Sequence, residues 1–136
     1  MNSSLKNSLK YGFGSPGETA AKISEFYLYH KKLGKSEEVS CSIVLNNYLD
    51  TYEMMGVDIE DEMKQFLRNN HQNNPALITY YLTMISAEPV GLIMHYKMHL
   101  DLILEVITEV HNEMLNENQT ASELRSSIEK AMGRNG

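Results

Sequence analysis

The sequence predicts an all-α fold, and two observations carry this prediction. Apolar residues recur at spacings of three and four along most of the chain, which is the period of a buried helix face. Capping residues, prolines and glycines stand where these stretches begin and end, whereas no segment alternates with the period of two that a half-buried strand shows. We therefore expect a compact bundle or array of about six helices.

Length and composition favour one domain. A chain of 136 residues with 42% apolar side chains can bury a single core without metals or disulfides. We expect this all-helical domain to span residues 15–136 and to follow a flexible basic arm over residues 1–14. The single cysteine, Cys41, excludes an intrachain disulfide and suits a small core position, and residues 1–14 lack the apolar run of a signal peptide. These features predict a cytoplasmic protein.

The first two helices are predicted from their caps. Residues 15–18, SPGE, have the form of a capping box with proline at the first helical position, so a helix should start there and end at Gly34. Ser36 opens a second helix, which places Met55 on its apolar face and ends at Gly56.

The third helix is predicted to start at Asp58, which can cap an acidic first turn. Its apolar period assigns Met63 to the buried face. A polar tract over residues 69–74 follows, and we interpret it as the longest loop.

Prolines mark the next two helix starts. Pro75 should open a short helix with almost no charge, and Pro89 should open the longest helix of the chain, over residues 89–117. Glu88 and Pro89 also interrupt the apolar stretch before it reaches the length of a membrane span, so no membrane association is expected. Thr120 and Glu123 form a second capping box at the start of the last helix.

The long helix carries a seam of apolar residues at alternating spacings of four and three, the pattern of packed helices. The seam consists of Tyr96, Leu100, Ile103, Ile107, Val110 and Met114. The apolar arc is wider than a two-stranded coiled coil needs. This helix should therefore be the centre of the domain's own core, or be shared between that core and a homodimer interface.

The opposite side of the same helix carries an acidic stripe whose members recur every four residues. The stripe consists of Asp101, Glu105, Glu109 and Glu113. Like charges one turn apart cost about 0.2 to 0.5 kcal/mol per pair on an exposed helix. The stripe is either a solvated face or a surface for a cationic partner, such as the N-terminal part of another copy.

Basic residues are concentrated at the front of the chain. Residues 1–35 contain six lysines against two glutamates, so the negative excess lies in the remainder. These lysines are Lys6, Lys10, Lys22, Lys31, Lys32 and Lys35. Such a front could contact phosphates, and a DNA-binding regulator with C-terminal oligomerisation helices is the alternative interpretation.

His95 and His99 are the only candidate metal ligands that the spacing brings together. An i, i+4 pair lets two imidazoles chelate one ion, but no neighbouring pattern supplies a third ligand. We therefore favour histidines that flank the packed seam, and we expect neither a metal nor another cofactor.

The sequence lacks a phosphate-binding glycine loop and a recognisable catalytic constellation. We therefore predict a small non-enzymatic regulatory protein that acts by binding other proteins, as a homodimer built around the helix over residues 89–117. Its partner surface would be the acidic stripe or the many methionine and tyrosine side chains, which adapt well at interfaces.

Overall fold

The structure, a computed structural model, describes the backbone of residues 2–133 and the side chains of residues 3–133, which form eight helices and no strand. The helices are α1 (Asn2–Tyr11), α2 (Pro16–Lys32), α3 (Glu37–Met54), α4 (Asp61–Asn70), α5 (Pro75–Ala87), α6 (Ile93–Met98), α7 (Leu100–Leu115) and α8 (Ala121–Ala131). The all-α prediction is confirmed. None of these helices is long and apolar enough to cross a bilayer.

Helix α7 is the centre of the molecule. It packs most extensively against α2, and it also contacts α1, α5 and α8. The core between these helices consists of aliphatic side chains that are almost completely buried, including Ile103 and Ile107 from α7, Ile23 from α2, Leu77 from α5 and Leu124 from α8. Burial of these side chains is the main force that holds the helices together, at about 1.5 to 3 kcal/mol for each fully buried aliphatic side chain.

Three predicted helix starts are confirmed by their caps. The backbone N–H of Glu18 donates to Ser15 Oγ at 3.2 Å, and that of Val39 donates to Ser36 Oγ at 3.1 Å. Thr120 and Glu123 form the reciprocal capping box, in which each side chain accepts from the other residue's backbone N–H. These bonds satisfy N–H groups that the first turn of a helix leaves without an intrahelical partner.

The predicted flexible arm contains helix α1, which packs against α2 and α7. Leu9 is buried and Leu5 is half-buried in this contact. The helices approach so closely that a Cβ atom at Gly17 would overlap the backbone oxygen of Lys10. The sequence prediction for residues 1–14 is corrected here, because two leucines one turn apart are too weak a periodic signal to reveal a helix.

The predicted long helix over residues 89–117 is also corrected. Residues 88–91 form a turn in which Gly91 has a φ of 77°, so Pro89 does not open a helix. The helical path is interrupted again at His99, where φ is −116° and ψ is 29°, and α6 and α7 are therefore separate. Asn116 then adopts the left-handed conformation and ends α7.

The third predicted helix begins two residues later than expected, with Glu60 instead of Asp58 at its N-cap. Asp58 is not a cap, because α4 begins at Asp61, and Glu60 at its N-cap makes no side-chain capping bond. Leu67 is the buried residue of α4. Met55 and Met63 are exposed rather than on buried faces, with 73% and 45% of their surface accessible.

Candidate partner-binding surface

The seam of α6 and α7 lies inside the chain's own core. Tyr96, Ile103, Ile107 and Val110 are buried within the single chain. Leu100 and Met114 are half-buried. These residues therefore belong to the domain's own core, which was the first of the two interpretations of the seam. The buried members of the seam offer no surface to a second copy.

The acidic stripe has partners within the same chain. Lys6 Nζ lies 2.7 Å from Glu105 Oε1 and 2.6 Å from Glu109 Oε2, and Lys10 Nζ lies 3.2 Å from Glu109 Oε1. Burial acts to raise the pKa of Glu109, but the hydrogen bonds from the two lysines outweigh it and lower that pKa. The cations expected from another copy are thus supplied by α1 of the same molecule.

The ends of the stripe behave differently from its centre. Asp101 forms an ion pair with Arg125 of α8, whereas Glu113 is exposed. A stripe whose central carboxylates are neutralised within the chain is a weaker docking surface for a cationic protein than its sequence indicates.

The remaining lysines lie on or beside α2. Lys22 Nζ lies 3.7 Å from Glu18, and Lys35 Nζ lies 2.8 Å from His30 Nδ1. Lys31 is half-buried and Lys32 is exposed. The six lysines of the sequence prediction are therefore divided between the contact of α1 with α7 and the surface of α2.

His95 and His99 do lie side by side, with their ring centroids 4.9 Å apart in an edge-to-face arrangement. Within residues 3–133, however, no group of three or more histidine, cysteine, aspartate or glutamate side chains converges in a way that could hold a metal ion. The pair has no third ligand among these residues.

An open cleft of about 590 Å³ lies where the α3–α4 connection and α4 meet the end of α5. Its apolar wall consists of Val57, Ile59, Met63 and Ile85. Its acidic rim consists of Asp58, Glu60 and Glu88. We call it the methionine cleft, because the exposed Met54 and Met55 directly precede the residues that line it.

The electrostatics of the methionine cleft are negative. All three rim carboxylates are exposed, and every charged residue that lines the cleft is acidic. Residues 53–64 contain five carboxylates and one lysine, Lys64, whose Nζ lies 2.5 Å from Glu53 and 3.8 Å from Asp61. This lysine is therefore paired with carboxylates outside the rim, and its hydrogen bond to Glu53 raises its pKa.

Sequence periodicity missed this cleft because it assigned the apolar residues around Gly56 to helix faces. Gly56 has a φ of 89°, and residues 57–60, which are not helical, separate the end of α3 from the start of α4. The available signal was the pair Met54-Met55 directly before a helix-ending glycine, followed by an acid-rich segment.

A second feature that the sequence did not reveal is a buried polar cluster around His111 of α7. Its Nδ1 lies 2.9 Å from Ser24 Oγ of α2, and its Nε2 lies 2.7 Å from Thr79 Oγ1 of α5. The ring is 1% exposed, and burial lowers its pKa to about 3. Because this cluster is closed to solvent, it joins three helices and offers no site to a ligand.

Comparison with known proteins adds no relative. The chain matches no protein-family model, and no similar curated protein or solved structure was found. The fold and the surface described above therefore carry the functional argument.

Proposed function

We propose that this chain is a non-enzymatic helical protein that acts by binding another protein, and that the methionine cleft is its binding surface. The observation that carries this proposal is the exposure of two adjacent methionines: 87% of Met54 and 73% of Met55 are accessible, and they directly precede the segment that lines a cleft with an apolar wall. Exposed apolar groups that cluster on a folded protein mark interaction sites. Methionine is unbranched and polarisable, so it adapts to different partner surfaces.

The expected affinity follows from the apolar surface that a partner would cover. Complete burial of a methionine side chain contributes about 1.5 to 3 kcal/mol, and three such side chains are available in Met54, Met55 and Met63. Loss of translational and rotational freedom opposes this gain. We therefore expect these methionines alone to give dissociation constants no tighter than about micromolar.

The test uses a variant of the exposed methionines with a matched control. Proteins that co-purify with the tagged wild-type chain from its native host should be lost when Met54→Gln is combined with Met55→Gln. Met132→Gln changes a methionine of similar type that is 48% exposed beyond α8, and it should retain them. An identical set of proteins with both variants would contradict the proposal.

The homodimer and the DNA-binding alternative stay predictions. Sedimentation of the wild type and the methionine variant would show whether the bound partner is a second copy. A reducing, cytoplasmic location also remains part of the proposal, since Cys41 is fully buried and unpaired.

A further inference from the structure

We propose that the partner of the methionine cleft is a basic amphipathic helix, with one apolar face and lysine or arginine residues beside it. This inference rests on the proposed function and adds the chemical class of the partner. Its basis is the division of the cleft into an apolar wall and an acidic rim.

The arrangement of the wall and the rim defines which ligand surface fits. Ile59 is buried and Ile85 is half-buried at the wall, whereas Glu60 and Glu88 are exposed at the rim. A ligand must therefore present apolar side chains toward the wall and cations toward the solvent side. An amphipathic helix does this with apolar residues at spacings of three and four and charged residues on its flanks.

The rim charges are available to such a ligand because the nearby lysine is already bound. Lys64 is the basic residue within residues 53–64, and its side chain is 15% exposed while its Nζ contacts Glu53 and Asp61. The carboxylates of Asp58, Glu60 and Glu88 line the cleft itself. A basic ligand would thus meet a negatively charged surface that Lys64 does not neutralise.

The charge of the protein disfavours a second copy as the occupant. The chain has a formal net charge of −6, and two copies that met through this cleft would bring their acidic rims together. A basic helix instead gains from the same field, so its binding should weaken as salt is added.

The test uses three synthetic peptides of about 18 residues, which is long enough for five helical turns. One is an amphipathic helix of leucine and lysine, the second has glutamine in place of lysine, and the third has glutamate. Fluorescence anisotropy of the labelled peptides against the full chain should give the tightest binding for the lysine peptide and the weakest for the glutamate peptide.

Variants of the chain separate the contribution of the rim charges from the contribution of the apolar wall. Glu60→Gln combined with Glu88→Gln should weaken binding of the lysine peptide by about two- to fivefold per lost charge. The same variant should leave binding of the glutamine peptide unchanged. Met63→Gln should weaken both peptides. Glu113→Gln, which removes an exposed carboxylate of α7 instead, is the matched control and should have no effect.

The outcomes distinguish failure of this inference from failure of the proposed function. If Met63→Gln weakens both peptides but the rim variant changes neither, the partner is not basic and protein binding at the cleft stands. If Glu113→Gln weakens the lysine peptide as much as the rim variant does, the attraction is unspecific and the inference is overturned. If Met63→Gln changes the binding of no peptide, the cleft does not bind a basic helix. The same conclusion follows if this variant instead abolishes self-association in sedimentation.

Discussion

Replacement of His111 by glutamine should make the stability of the protein less dependent on pH. The ring is 1% exposed and contacts the hydroxyls of Ser24 and Thr79. Each hydroxyl oxygen also lies within hydrogen-bond distance of a carbonyl oxygen one turn earlier in its own helix, at 2.7 Å for Ala20 and 2.9 Å for Pro75. A neutral ring carries one N–H, so the four contacts cannot all be made at once, and one hydroxyl must donate to the bare ring nitrogen.

The sign of the pH effect follows from the lowered pKa. Burial lowers the pKa of folded His111 to about 3 from an ordinary value of 6.5. Below about pH 6.5 the unfolded chain therefore binds a proton at this histidine that the folded chain does not bind. The free energy of unfolding falls as the pH falls from about 6.5 to about 3. The limiting slope is about 1.4 kcal/mol per pH unit, which gives a loss of about 2 kcal/mol near pH 5 and at most about 5 kcal/mol near pH 3.

Urea unfolding followed by far-UV circular dichroism, from about pH 7 to about pH 5, measures this loss for wild type and His111→Gln. Burial also lowers the pKa values of His30 and His71, so both add to the same trend. The variant keeps these two histidines, and the difference between the two slopes therefore isolates His111. Parallel pH profiles for the two proteins would show that His111 does not cause the loss of stability.

Three further predictions concern other parts of the chain. Gly17→Ala should destabilise the protein by roughly 1 to 3 kcal/mol and increase hydrogen exchange in α1, because the new Cβ would meet the Lys10 carbonyl; unchanged exchange would show that α1 is not held there. Burial raises the pKa of the Cys41 thiol to about 12, so a thiol reagent should modify it only as the protein unfolds, and immediate reaction of the folded chain would contradict its burial. Combined replacement of Lys31, Lys32 and Lys35 by alanine should leave gel-shift titrations with duplex DNA unchanged, whereas salt-sensitive binding that the variant loses would establish the DNA-binding alternative.

Local signals in the sequence are enough to predict the helical class and the starts of several helices. Ser15, Ser36 and Thr120 cap helices where the sequence predicts them, and Gly34 and Gly56 adopt the positive φ angles expected after a helix end. These signals are readable because a cap satisfies backbone groups within three or four residues along the chain. The buried seam is likewise predictable, since the helical period fixes which side chains share a face.

Which surfaces remain available to a partner depends instead on how the helices pack against one another. Lys6 and Glu105 are separated by 99 positions, so no local pattern could show that α1 neutralises the acidic stripe of α7. The exposure of Met63 has the same origin, because it depends on which neighbouring helix covers a face. The physical reason is that burial is a property of the assembled helices, whereas capping and periodicity are properties of the local chain.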